Sequence, residues 1–518
     1  MINRISLLLV LIITLITIPA PGETDSRVSP DRDGPSGSSE KRIEKKVGVR
    51  GRLVSLESKA ADIVVEPASG DQLLLVVDLE FWSSDEKWME TVEQEFDVEV
   101  QESDSQITLQ LAGMPERVDK GLLKRIFGGG ETFYSLEISL EVPRGTALEI
   151  SNRYGDIDVE GVGGALDIVN SSGDVTASEV RGGADIENSY GDATVADVEG
   201  GLTLVVASGI VEVEKVVGDT KISNRYGESQ VSEITGHLDL ETSSSEIRVS
   251  SVAGSAVIVG SYADAEVEDV EGPLKIEVSS GSVNLSGIRG RTEIAASYGT
   301  VMVSEVAGEL ILRSSSGEVE ARNIGGNVRI ENSYGPVLVE EVEGSVEVKN
   351  PSGGVTVEQI AGDLSIRSSY DAVRVRDIQG DLDIAASSSG VDAEDIGGSV
   401  EVVTSYAGVV IVGIGGTVDI RNQSGRVEVR ELKGAALAGQ HRVETSYGDV
   451  DFTWPAANGT LSFVLESTYG STHSDFAATV SKRGSRESAE GRLGTEGSHP
   501  AATVSLTARS GSVFLRRD

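Results

Sequence analysis

The chain has 518 residues, with 84 Asp and Glu against 44 Lys and Arg, 61 Gly, 4% aromatic residues and no Cys. A net charge of −40 disfavours nucleic acid and anionic membranes as partners, and the missing Cys excludes disulfides and thiolate metal sites. Large side chains are too few for an ordinary globular core of this length, which leaves a thin core of Val, Ile, Leu and Ala.

Residues 1–22 read as a secretory signal peptide. Arg4 supplies the positive charge, Ile5 to Ile18 the apolar run, and Ala20-Pro21-Gly22 the small-residue exit. The run is short for a membrane span, so no transmembrane segment is expected after cleavage; an uncleaved anchor is the alternative. Residues 23–46 are polar and rich in Ser, Pro, Gly and Lys, and are expected to be a flexible linker. Residues 47–145 carry β-like runs such as "QLLLVVDLEF", interrupted by two inserts. "SSDEKWMETVEQEF" has a helix start with Ser84 ahead of acidic residues. "ERVDKGLLKRIFGGG" reads as a short amphipathic turn ending at Gly128. Phe81, Trp82 and Trp88 are expected to plug the first coil.

From residue 146 to 476 a repeat takes over. Tyr154, Tyr190, Tyr226, Tyr262, Tyr298, Tyr334, Tyr370 and Tyr406 stand 36 residues apart, with Ser172, Ser208, Ser244, Ser280, Ser316, Ser352 and Ser388 midway and Ser424 after the last. The unit is therefore 18 residues, with Tyr or Ser at its first position, counted as zero. Positions 3, 5, 8, 12 and 14 are almost always aliphatic, Ser229 at position 3 being one exception. Position 10 is Gly in all sixteen units, beginning with Gly164, Gly182, Gly200 and Gly218. Tyr447 and Tyr469 continue the series around an "AALAG" insert and extra residues near Trp454. Residues 477–501 read as a polar loop, and 502–518 as a final coil whose "RRD" end would blunt edge pairing.

Aliphatic positions spaced 2 apart, then 3 and 4, then 2, mark two short strands per unit rather than a helix. Such a unit cannot bury its apolar face alone, but stacked coil on coil at about 4.8 Å it forms one aliphatic column. The fold expected is all-β: a single-stranded parallel β-solenoid with 18-residue coils. It is expected to be right-handed from the crossover preference of parallel strands. Left-handed hexapeptide coils would repeat every six residues, which these do not. About nineteen coils would make a rod of about 90 Å.

Gly155, Gly191, Gly227, Gly299 and Gly335 follow Tyr154, Tyr190, Tyr226, Tyr298 and Tyr334, and together they mark the coil corners. Continued alternation from positions 12, 14 and 16 turns each Tyr ring inward, over the small Ser of the next coil, with a binding strip of exposed rings for sugars as the alternative. Gly at the following position then permits positive φ. The invariant Gly at position 10 marks a bend or close approach without room for Cβ. Position 16, mostly Asn, Ser, Thr or Ala, reads as an internal polar ladder.

The run "LEVPRGTALEISNRYGDIDVEGVGGALDIVNSSGDV" resembles a bacterial family named for "putative adhesins", exported proteins of unknown function. In that family a "VP-x-G" strand leads into "[YS]GD-[IV]-x-V" turns. Val142, Pro143 and Gly145 match the lead-in, and Tyr154-Gly155-Asp156, Ser172-Gly173-Asp174 and Tyr190-Gly191-Asp192 match the turns. The resemblance implies a repetitive β-solenoid with a surface or envelope role, and brings no catalytic residues with it.

Asp156, Asp174, Asp192 and Asp264 at position 2 read as solubilising turn residues, with a cation site as the alternative. Glu179, Asp197, Glu233, Asp269, Glu305 and Glu341, broken by Lys215, Asn323 and Gln359, read as a solvated face. His237, His441, His473 and His499 lack repeated partners, and no nucleophile elbow stands out. No cofactor, catalytic residue or metal site is expected. Trp454 is the aromatic expected to be exposed. These readings converge on an exported, non-enzymatic scaffold or adhesin of the periplasm, outer surface or medium, whose partner is a surface glycan or envelope protein. A carbohydrate-active β-helix enzyme and a periplasmic accessory of an envelope sensor are the alternatives.

Overall fold

The computed structural model describes residues 38–113, 132–455, 460–494 and 501–518. The proposed signal peptide, most of the proposed linker, the second N-terminal insert and His499 lie outside them. No helix among the described residues is long and apolar enough to cross a membrane.

The chain is a parallel β-solenoid of about sixteen regular turns of about 18 residues. Each turn contributes one strand to each of two parallel ladders. Val175–Val180 lies between Ile157–Glu160 and Ala193–Val198 in one ladder, and Leu166–Asn170 between Leu148–Asn152 and Ala184–Tyr190 in the other. The register is 18 from Leu148 to Leu432, so Ile168 pairs with Ile186 and Val195 with Val213. Positions 3, 5, 8, 12 and 14 point inward and form one continuous core. Even Ser229 is fully buried, where its hydroxyl accepts from the Asn224 side-chain amide.

The strands of one ladder bend at a feature that sequence reasoning missed. Position 7 is in the left-handed region in all sixteen units. Gly161, Gly287 and Gly413 occupy it in three, and the rest are non-glycine residues with φ between 53° at Glu179 and 60° at Gln359. The residues read as a plain solvated face are therefore the hinges within the strands of that ladder. A left-handed residue reverses the alternation between positions 5 and 8, which is why the aliphatic at position 8 stood isolated. Gly161, Gly287, Gly413 and Asn323 in one column were the available signal, since Gly and Asn tolerate this conformation best.

Both ends depart from simple stacking, and this reduces the coil number below nineteen. Near the N-terminus, Leu53–Glu57 inserts between Leu148–Asn152 and Gln106–Ala112, and Asp62–Ala68 between Ile157–Glu160 and Thr132–Pro143. Gln72–Ser83 then pairs antiparallel with Thr132–Pro143, and Ser39–Gly48 antiparallel with Gln72–Ser83. The expected linker thus overlaps an edge strand, whose Lys41, Arg42, Lys45 and Lys46 discourage further pairing. The helix Glu86–Glu95 is capped by Asp85, one residue after the expected Ser84: its Oδ1 accepts from the Lys87 and Trp88 amides. Trp88 meets Phe81 edge to face at 6.2 Å, while Trp82 lies on the opposite side of its strand, half-buried.

At the other end the final coil is not last. Ala502–Ser510 inserts between Gly439–Tyr447 and Leu461–Ser467, and Val513–Arg517 between Val450–Trp454 and Thr472–Ser474. The expected polar loop contains a hairpin, Ala478–Arg483 with Arg486–Leu493, laid antiparallel on Leu461–Ser467. That hairpin, and not the terminal "RRD", covers the end. Trp454, expected to be exposed, is fully buried against His441, because the insert carries it into the core rather than away from it.

Candidate functional site

The corner at positions 16 to 2 is built around a buried amide. Asn170 Nδ2 donates to the Gly155 carbonyl of the preceding coil at 3.2 Å and to Gly173 of its own at 3.3 Å. Asn188, Asn224, Asn332 and Asn422 bridge two coils in the same way. The polar ladder read at position 16 is present, and it ties successive corners together.

Gly155, Gly191, Gly227, Gly299 and Gly335 have φ of 119°, 132°, 141°, 121° and 104°. A Cβ on Gly191 would sit 2.1 Å from the Gly173 carbonyl oxygen, so any side chain would force the coils apart. In the separate column at position 10, a Cβ on Gly164, Gly182, Gly200 or Gly218 would fall 2.4 to 2.7 Å from a backbone oxygen of the coil below. This second column lies in the bend between the two ladders, where the backbones approach closely.

The tyrosines point the other way from expectation. With Asn inward at position 16, the two following residues both face out, and the corner leaves no inner space for a phenol. Tyr154, Tyr190, Tyr226, Tyr262, Tyr298, Tyr334, Tyr370, Tyr406, Tyr447 and Tyr469 are all exposed, from 52% at Tyr154 to 70% at Tyr262. Tyr226, Ser244, Tyr262, Ser280, Tyr298, Ser316 and Tyr334 stand in direct register, one per coil. The rings therefore repeat every two strands, about 9.6 Å.

The alternation survives where the chain order does not. Ser510, on the inserted strand, pairs with Tyr447 on one side. On the other side the register Ser467↔Ala508 brings it beside Tyr469. Tyr, Ser, Tyr thus holds in space across strands 63 and 41 residues apart in sequence. That is the pattern of a surface, and it makes this ladder the candidate functional site.

Its flank is acidic along one half only. Position 2 is Asp156, Asp174, Asp192, Glu228, Glu246 and Asp264 toward the N-terminal end, broken by Ile210, then Ser282, Thr300 and Glu318, and Pro336, Gly354, Ala372, Gly390, Gly408 and Arg426 from Tyr334 on. The Asp side chains also brace the stack, since Asp156 Oδ1 accepts from the Asp174 amide at 2.8 Å and Asp174 Oδ1 from the Asp192 amide at 2.9 Å. Among the described residues no group of three His, Asp or Glu is placed to hold a metal ion. Arg153 lies 5.4 Å over the Tyr154 ring, so that ring's face already engages a cation.

His237 takes the place of a carboxylate in another backbone-capping column, accepting at Nδ1 from the Ser255 amide. His441 is buried. His473 stacks on Phe514 at 5.0 Å. The three are not brought together.

The family model described as Toastrack DUF4097 matches residues 52–287 and 327–516. No curated protein matches the chain. A solved structure of a "putative cell adhesion protein" from Clostridium sporogenes ATCC 15579 aligns with 93% of this chain and 100% of its own, at 8% identity and a TM-score of 0.15.

Proposed function

The chain belongs to the Toastrack DUF4097 family, and from that premise we propose that it is an exported, non-enzymatic β-solenoid that binds an extended partner at the cell surface or envelope. The observation that carries this reading is the Tyr/Ser ladder: ten exposed rings, kept in alternation even where the chain is rethreaded. Aromatic rings left in water are unfavourable without a partner, and a row of them at fixed spacing suits multivalent contact with a polymer. Export rests on the residues of the N-terminal 22.

The enzyme reading has less behind it. The shallow groove between Glu309 and Asp419 gathers carboxylates, but Asp363 and Asp381 each commit an oxygen to a backbone amide, that of Asp381 and Ser399 respectively. They stack the coils, as does the Asp column beside the tyrosines.

The test is a binding screen of the full chain against arrayed glycans and matrix or envelope polypeptides, beside turnover assays on acidic polysaccharides. Binding lost on replacing Tyr190, Tyr226 and Tyr262 by Ala is the expected result. Turnover of any polymer would overturn the non-enzymatic reading. Cell fractionation decides export, and a purely cytoplasmic chain would remove that part.

A further inference from the structure

Resting on that reading of the ladder, we propose that the strip from Tyr154 to Tyr298 docks a basic, proline-rich polypeptide in the polyproline II conformation, with one proline per turn seated between successive tyrosines. The spacing is the first argument. Polyproline II has three residues per turn at about 3.1 Å each, a repeat of about 9.3 Å. Rings on alternate strands repeat at about 9.6 Å. Across the four intervals from Tyr154 to Tyr298 the mismatch accumulates to only about 1 Å, so one peptide face stays in step with the strip.

The alternation with Ser is the second. A pyrrolidine ring between two phenols needs a van der Waals contact of about 3.5–4.0 Å on each side, about 7–8 Å in all. One strand spacing of about 4.8 Å is too small, and two spacings suffice. Ser172, Ser208, Ser244 and Ser280 floor these slots and leave them open. A Tyr on every coil would be more apolar but would close them.

Hydrogen bonding and charge complete the match. Polyproline II makes no internal hydrogen bonds, so its carbonyls accept freely from the exposed phenol hydroxyls. The acidic flank runs from Asp156 to Asp264 with a break at Ile210; Arg248 pairs with Glu228 and Glu246, and the carboxylates that remain select Lys or Arg among the residues facing away from the slots. A neutral sugar chain would donate hydroxyls to that flank but bring no opposite charge, and an anionic one would be repelled by it.

The experiment titrates the full chain with fluorescent (Pro-Pro-Arg)2, (Pro-Pro-Arg)3 and (Pro-Pro-Arg)4, with (Gly-Ser-Arg)4 as the charge-matched control and cellohexaose as the sugar probe. Affinity should rise several-fold with each added triplet, and (Gly-Ser-Arg)4 should bind about tenfold or more weakly. The double variant Tyr190→Ala/Tyr226→Ala should lose about tenfold or more. Ser208→Tyr/Ser244→Tyr should lose as much by closing the slots, although it adds aromatic surface. Circular dichroism checks that both variants keep the solenoid. Equal binding of (Gly-Ser-Arg)4, or tighter binding by the Ser→Tyr variant, would overturn the proposal. Tyrosine-dependent binding of cellohexaose with the triplets silent would overturn it and leave the ladder reading intact. No tyrosine-dependent binding of any probe would remove both.

Discussion

The Asn188 side-chain amide donates to the carbonyl of Gly173, one coil away, at 3.0 Å, and to Gly191 in its own coil at 3.1 Å. One buried group thus fixes the corners that carry Ser172 and Tyr190. Asn188→Ala should destabilise the rod by about 1–3 kcal/mol by leaving those buried carbonyls unpaired. It should also raise amide exchange at Gly191 and Gly209 more than at distant coils, since each repeat contacts only its neighbours. Unchanged exchange there would remove the corner-fixing role.

The hinge row gives a second expectation. Glu233 has φ of 56°, a conformation that costs an ordinary residue about 1–2 kcal/mol. Glu233→Gly relieves it while loosening the unfolded chain, so thermal stability should stay level or rise slightly. Glu233→Val should lower stability by at least about 1 kcal/mol, because a β-branched side chain fits this region worst. Equal unfolding midpoints for the two would count against position 7 as the hinge.

Gly200→Ala and Gly390→Ala separate the two uses of glycine. A Cβ at Gly200 falls 2.6 Å from the Gly182 carbonyl oxygen, whereas one at Gly390 meets nothing within 4 Å. The first should cost about 2 kcal/mol or more through a forced backbone shift. The second should be neutral or mildly stabilising. Denaturant midpoints measure both.

Acid should weaken the C-terminal end first. His441 is 1% exposed and meets Phe452 and Trp454 edge to face. Burial holds its pKa below the ordinary 6.5, opposed in part by the backbone of Ala436. The folded state therefore binds fewer protons than the unfolded one. Its stability is intact above about pH 6.5 and declines as pH falls below that value toward the depressed folded pKa. His441→Leu should lessen the loss of melting temperature between pH 7 and pH 5. An identical loss in both proteins would show that other groups govern it.

Removing residues 226–261 takes out two coils and preserves the Tyr/Ser alternation. X-ray scattering should show a folded rod shorter by about 9.6 Å. Collapse of the deletion variant would contradict the modular stack.

The period, the aliphatic positions, the two glycine columns and the Asn row were legible because each residue's nearest neighbour in a parallel stack is its own counterpart 18 residues away. The hinge was less legible, since Glu, Asp and Lys at position 7 disguise a left-handed site that only Gly161, Gly287, Gly413 and Asn323 betray. The direction of Tyr190 was misread by extending strand alternation through Asn188, where the chain turns. Its ring faces solvent because the amide and the glycine backbones already fill the inside of the corner.

By itself, then, the sequence determined the coil and its dry column, because a repeating contact writes a repeating pattern. Only the tertiary structure decided the ends and the outward face. Leu53–Glu57 finds Leu148–Asn152, and Ala502–Ser510 slips between two earlier strands. Those partners are chosen by open edges and apolar area across long stretches of chain, and no period within the sequence encodes such choices.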